Sequence, residues 1–295
     1  MTIFVTGGTG FVGRAIIRKL LQEGEEVRAL YRDEKRCRFI DDPKVTWIKG
    51  EIGDIESLHR GVAGADCVIH LVGILVEPGA QTFEAIHVRG TENILEAAKR
   101  SGVRRLLHMS ALGTRPEAAS RYHQTKWKAE EAVRASSLEA TIFRPSLIFG
   151  RGDVSLNLFS KIISYSPFIP IPGTGGSRQQ PVWVEDVAEC FVRSLERPVS
   201  IGKTYPLCGP RPYTMDALFE MLLRVKKASR PKLHVPIWLL TVPAALGERI
   251  LSHPPLTRDQ LIMLQEDNIS SDDAAAKDLC VTFKGPEEIL PAYIR

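Results

Sequence analysis

A chain of 295 residues with a net charge of +4 has room for one large α/β domain and a smaller appendage, and too little charge to argue for nucleic acid. Its hydrophobic content of 44% and charged content of 25% are ordinary for a globular protein. Five cysteines, at 37, 67, 190, 208 and 280, form no Cys-x-x-Cys, which argues against disulfides or zinc and suits a reducing compartment. The first strand begins almost at once, leaving no room for a signal peptide, and no apolar run is long enough to span a bilayer. A cytoplasmic protein is expected.

Ile3-Phe4-Val5 reads as a strand, and Thr6-Gly7-Gly8-Thr9-Gly10-Phe11-Val12-Gly13 leads from it into an amphipathic helix starting near Arg14. The glycines fit Gly8-x-Gly10-x-x-Gly13 and equally Gly7-x-x-Gly10-x-x-Gly13. In a strand–turn–helix setting they allow a sharp turn, a close approach of pyrophosphate to the backbone, and tight packing of helix on strand. Gly7 to Gly13 are therefore expected to hold a dinucleotide at the helix N-terminus. Val27–Tyr31 reads as the second strand, whose end selects the cofactor. Arg32 there suits the 2′-phosphate of NADP(H), whereas Asp33 would take the ribose hydroxyl of NAD(H). NADP(H) is the preferred reading and NAD(H) the alternative.

Val45–Ile48 reads as a third strand, after which Glu51 or Asp54 could face the adenine, with helix capping the other role for Asp54. Cys67–Gly73 is continuously apolar, as a buried parallel strand should be, and its end, Leu71-Val72-Gly73, should flank the cofactor. A long helix from Phe83 to Arg100 follows, then a strand from Arg104 to Ser110, and another from Thr141 running into Pro145. The alternation predicts a doubly wound parallel sheet of the Rossmann type, with ligands at the carboxyl ends of its strands. Residues 1–165 are expected to form that domain, with returning elements near 181–210. Residues 166–295 form a smaller, mostly helical region for substrate or partner.

Tyr122 and Lys126 lie four apart on a predicted helix and so share a face. An ammonium beside a phenol, together with the positive nicotinamide of an oxidised cofactor, favours the phenolate and would lower the tyrosine pKa toward usefulness in proton transfer. In the C-terminal third, His234–Leu246 is the most apolar stretch, interrupted by Pro236 and Pro243. It is expected to pack as a core helix, or else to line an apolar pocket or an interface with a membrane-bound partner. His59, His70, His108, His123 and His253 lack metal-ligand spacing and read as structural, so no metal is expected.

The glycine motif, Tyr122-x-x-x-Lys126, Arg144-Pro145-Ser146 ending at Gly150, and Val182-Trp183-Val184-Glu185-Asp186-Val187-Ala188 together resemble the short-chain dehydrogenase/reductase superfamily, in its extended and atypical branch, the NAD-dependent epimerase/dehydratase group. A softer similarity, carried by Thr141–Ser146 and Ile148–Asp153, is to the nucleotide-binding accessory subunits of respiratory complex I and their bacterial relatives. The superfamily resemblance implies that Tyr122 is the catalytic acid/base, that Lys126 binds ribose hydroxyls and lowers the tyrosine pKa, and that Ser110 bonds a substrate carbonyl. Pro145, where the strand from Thr141 ends, is expected at the cofactor site by the strand-end rule. Two positions depart from the pattern: Ala111 stands where many extended members carry the active hydroxyl, and His87 where they carry asparagine. The expected function is tyrosine-assisted hydride transfer on a carbonyl, hydroxyl or nucleotide-sugar-like substrate. The rival is a nucleotide-loaded module, without turnover, attached peripherally to a quinone-linked membrane complex.

Overall fold

The computed structural model describes residues 1–37, 39–79, 81–252 and 254–294, so the expectation for His253 lies outside the described residues. Seven strands form the central sheet: β1 (Thr2–Thr6), β2 (Glu26–Tyr31), β3 (Val45–Lys49), β4 (Cys67–His70), β5 (Arg105–Met109), β6 (Glu139–Pro145) and β7 (Thr204–Leu207). All pairs are parallel, in the order β7-β6-β5-β4-β1-β2-β3. The order reverses at β1, so the crevice beyond its carboxyl end is the place such sheets reserve for ligands.

The continuous apolar runs have a simple cause, since both faces of the sheet are covered. Ile3 and Val5 face a core shared with α1 (Phe11–Gln22) and α6 (Val184–Leu195). Phe4, between them, faces the opposite core, built with α2 (Ile55–Val62) and α3 (Gly90–Arg100). Neighbours in β4, β5 and β6 divide in the same way: Val68 from Ile69, Leu106 from Leu107, Ile142 from Phe143. The long helix expected from Phe83 opens with a π-helical segment, Glu84–Arg89, that runs straight into α3. Such widened turns recur near functional sites because they re-aim side chains.

The apolar clusters do not part at residue 165. Helix α5 (Ser155–Tyr165) sends Leu156 and Ile163 into a third cluster, which also holds Phe149 and the inner face of α7 (Met215–Val225). Ala275, Leu279 and Val281 return to the sheet core. Helix α8 (Ile237–Ile250) corrects the core-helix expectation, for only Ala244 within it is buried. A short helix, α9 (Arg258–Met263), follows, with a capping box in which Thr257 and Gln260 satisfy each other's main-chain N–H groups. No helix of the described residues is long and apolar enough to cross a membrane.

Candidate dinucleotide and proton-transfer site

Gly7 and Gly13 do the steric work at the end of β1. Gly7 has φ of +78°, and a Cβ there would sit 3.1–3.2 Å from the Leu71–Val72 backbone. A Cβ on Gly13 would fall 2.3 Å from the Gly7 carbonyl oxygen, so helix and turn touch main chain to main chain. The sharp turn therefore belongs to the Gly7-x-x-Gly10-x-x-Gly13 reading, while Gly8 makes room for Ile17. Gly10 donates to Gly7 O at 3.0 Å and begins α1 with no side-chain cap and no acid in the first turn. By contrast α2, α4 (Arg121–Ala135) and α7 are capped by Asp54, Ser120 and Thr214. Helices α6 and α8 lack side-chain caps too, but only α1 starts from the glycine turn at the end of β1, and there its free amides and the close main chain form a cradle that fits the pyrophosphate of a dinucleotide. Val12 is buried and Phe11 packs on the sheet core, so both face the cradle with main-chain N–H groups only.

Arg14, which the sequence reading passed over, ties this turn to the loop after β2. Its Nε donates to Thr9 O at 3.1 Å, its Nη2 to Arg36 O at 3.4 Å, and the guanidinium lies 4.6 Å from the Phe39 ring centre. Its position directly after the third glycine was the available signal. Arg32 is exposed at the end of β2 and makes no hydrogen bond or ion pair among the described residues. Asp33 accepts from Lys35 N at 3.0 Å, which commits its carboxylate to the turn. Glu51 is exposed, and Asp54 caps α2 through Ser57 N at 3.3 Å.

Lys126 is 2% exposed, and its Nζ donates to Met109 O at 2.7 Å, at the end of β5. A Cβ on Gly73 would lie 3.7 Å from both Lys126 Nζ and His87 Nε2, so the ends of β4 and β5 meet here. Burial lowers the Lys126 pKa to about 8, against the opposing pull of Glu130 one turn along. Glu130 is fully buried and held by Arg144 at 2.7–2.8 Å. Tyr122 is partly buried, edge-on to His87 and Phe83 with ring centres 5.3 and 5.9 Å away. Burial pushes its phenol pKa up. In the protein alone desolvation of the phenolate dominates and the Lys126 ammonium is directed to the Met109 carbonyl, whereas the sequence expectation rests on that ammonium together with an oxidised nicotinamide.

His87 bridges the site. Its Nε2 lies 3.1 Å from both the N–H and the carbonyl of Ile74, and its Nδ1 lies 2.9 Å from Thr125 Oγ1 on α4. At the departed asparagine position the imidazole therefore joins the turn after β4 to the helix of Tyr122 and Lys126. Burial, then the nearby ammonium, lowers its pKa to about 2, and the same causes lower His70 to about 3. His70 lies between Thr6 Oγ1 and Thr91 Oγ1 at 2.7 and 3.2 Å. Both stay neutral, leaving Lys126 as the positive charge of the pocket. Ser110 is buried at the end of β5, its Oγ 3.4 Å from the buried Thr114 Oγ1, a second hydroxyl that sequence reasoning missed. Pro145, buried at the end of β6, accepts from Leu112 N at 2.9 Å. Among the described residues no cluster of His, Cys, Asp and Glu could hold a metal ion.

Comparison with known proteins fits this geometry. The chain is 30% identical over 294 residues to the NADH dehydrogenase [ubiquinone] 1 alpha subcomplex subunit 9 of Arabidopsis thaliana, covering 95% of this chain and 72% of that one. It is 34% identical over 198 residues to a ceramide reductase of Caulobacter vibrioides, covering 67% of this chain and 62% of that one. Among solved structures, the dTDP-glucose 4,6-dehydratase DesIV of Streptomyces venezuelae superposes with a TM-score of 0.81 at 21% identity, over 100% of this chain and 96% of that one. That likeness is one of fold. Residues 3–208 match the family described as NAD dependent epimerase/dehydratase, and it is to this family that the chain belongs.

Proposed function

We propose that the protein is an NADP(H)-dependent oxidoreductase of the short-chain dehydrogenase/reductase type, acting on a carbonyl or hydroxyl. The observation that carries this is Lys126: an ammonium 2% exposed, anchored to Met109 O one helical turn from Tyr122. Burying a charge is costly, and a fold keeps it where a ligand uses it. A bound nicotinamide would supply or accept the hydride. Lys126 holds ribose hydroxyls, Tyr122 gives or takes the proton at the substrate oxygen, and Ser110 with Thr114 orients that oxygen. Gly7–Gly13 and Leu71–Gly73 cradle the dinucleotide, and Arg32, exposed and without a hydrogen bond or ion pair among the described residues, meets a 2′-phosphate. Glu51 and Pro145 complete the cofactor groove. Five free cysteines support a cytoplasmic location.

A second reading is favoured by Ala111 and by the similarity to a complex I subunit along 95% of the chain. On that reading the dinucleotide is bound without turnover and stabilises a peripheral part of a membrane complex. The deciding experiment is NADPH oxidation against a panel of ketones, aldehydes, quinones and nucleotide sugars, on unmutated protein and Tyr122→Phe. The enzyme reading expects turnover that falls by about 10²–10⁴ in the variant, the usual contribution of acid–base catalysis. Turnover that survives removes Tyr122 as the acid, and tight dinucleotide binding without turnover supports the module.

A further inference from the structure

Helix α8 wears its apolar side outward. Trp238, Val242, Leu246 and Ile250 recur every four residues and are 57–71% exposed, with Leu239 between them and Leu251 just beyond. On a helix of 3.6 residues per turn these positions, with Pro243, make one continuous arc, and the only charge within it is Arg249. Ala244 lies on the other side, against the protein. A helix packed on a domain shows the reverse order, so this arc is a surface built to be covered.

The sequence on either side of this helix is rich in positive charge. Residues 224–258 hold seven lysines and arginines (Arg224, Lys226, Lys227, Arg230, Lys232, Arg249 and Arg258) against one acid, Glu248, a net of +6. The entire chain carries +4, so everything outside this stretch is net −2. Part of this positive charge is engaged locally: Lys232 pairs with Asp216 and Glu220, Arg258 with Glu248, Arg230 donates to the Ser166 and Ser229 carbonyls, and Lys226 also has a partner. Arg249, on the apolar arc, has no hydrogen bond or ion pair among the described residues.

We propose that the outward face of α8 lies on an anionic lipid surface. At 14 residues, with Pro243 inside it, the helix is too short to cross a bilayer, so it rests in the plane of the interface. Val242, Leu246 and Ile250 enter the acyl boundary, and the Trp238 ring sits at headgroup depth. Arg249 meets lipid phosphates, and the net positive charge of the flanking sequence draws the protein to an anionic surface. The arc carries almost no hydrogen-bonding groups that would fix the register of a protein partner, whereas a bilayer needs none. This proposal stands apart from the redox reading, because no residue in it belongs to the nucleotide site.

The test is flotation of the full chain with phosphatidylcholine vesicles, with and without phosphatidylglycerol, for unmutated protein, Val242→Glu/Leu246→Glu and Arg249→Glu. Both altered apolar positions are exposed, so the fold should tolerate them, and dinucleotide titration checks that it does. The expected result is flotation with the anionic vesicles only, weakened by salt. The double variant should bind at least about tenfold more weakly, and Arg249→Glu to a smaller degree, with dinucleotide affinity unchanged. Unmutated protein that stays with the soluble fraction, or a double variant that floats equally well, overturns the proposal. So does a dimer, seen by light scattering, that the double variant dissolves in the absence of vesicle binding, since the face would then belong to a second copy.

Discussion

Asp259 Oδ2 accepts the main-chain N–H of Tyr122 at 3.1 Å, and its Oδ1 accepts that of Arg121 at 2.7 Å. A carboxylate 137 residues away along the chain thus closes the helix that carries the proposed acid. Ser120 Oγ takes the next amide, His123 N, at 3.2 Å, so the first turn of α4 is fully answered. Helix α9 thereby sets where the phenol stands.

Asp259→Ala should therefore cost about 0.5–2 kcal/mol of stability, the range for a lost helix cap. Asp259→Asn, which keeps one acceptor, should lose less. If Tyr122 turns over substrate, kcat should fall in Asp259→Ala while dinucleotide affinity holds, because the α1 cradle is untouched. Urea midpoints and steady-state kinetics on the two variants check this, and an unchanged midpoint in the alanine variant would refute the capping role.

The glycine turn makes a prediction that separates steric need from mere sequence pattern. Gly13→Ala places a methyl 2.3 Å from the Gly7 carbonyl and 2.7 Å from Gly8 Cα, both main chain, so α1 must shift. Dinucleotide binding should be lost and stability reduced by about 1–3 kcal/mol, the usual cost of overpacking. Gly10→Val should obstruct the phosphates with a milder effect on folding, since a Cβ there meets only Gly7 O at 3.1 Å. Gly53→Ala, with nothing within 4 Å and no positive φ, is the silent control. Isothermal titration and thermal melts on the three variants distinguish these effects.

Lys126 predicts a pH dependence with a defined sign. Its pKa is lowered to about 8 in the folded protein from an ordinary 10.5, by burial first. Below pH 8 the amine is charged in both states and the full cost of burying it is present. Between about 8 and 10.5 the unfolded chain binds more protons than the native one, so the native state gains stability as pH rises. Lys126→Met lacks this term. Its stability relative to the unmutated protein should therefore be greatest at pH 7 and fall, by on the order of 3 kcal/mol, by pH 10. The charge-assisted part of the bond to Met109 O is already contained in the native pKa, and its remainder drops out of that comparison. A stability difference that stays flat from pH 7 to 10 would contradict the buried ammonium.

Cofactor choice rests on Arg32. NADPH should bind more tightly than NADH, and Arg32→Ala should narrow the gap by about 1.5–3 kcal/mol, the scale of a charged hydrogen bond. Asp33 is already held by Lys35 N, so Asp33→Ala should leave the ratio largely unaltered. Equal affinities in the unmutated protein would return the choice to NAD(H).

What the sequence determined by itself was whatever is local and periodic. A two-sided apolar run means a covered parallel strand, glycines at 7, 10 and 13 between strand and helix mean a tight turn with main chain against main chain, and a spacing of four puts Tyr122 and Lys126 on one face. These signals depend on backbone geometry within a dozen residues, which no tertiary contact can overrule cheaply. What lay beyond it was every question of what covers what. His87 bridging Ile74 to Thr125, Thr114 beside Ser110, and Asp259 capping Tyr122 each join residues from different elements. Burial raises the Tyr122 phenol pKa, and burial is a property of the assembled fold that a spacing of four along a helix does not carry. Helix α8 is the clearest instance. Its composition would be the same in a core or on a surface, and hydrophobicity states that a face is apolar without stating which partner removes it from water; only the packing of the chain left Trp238, Val242, Leu246 and Ile250 outside.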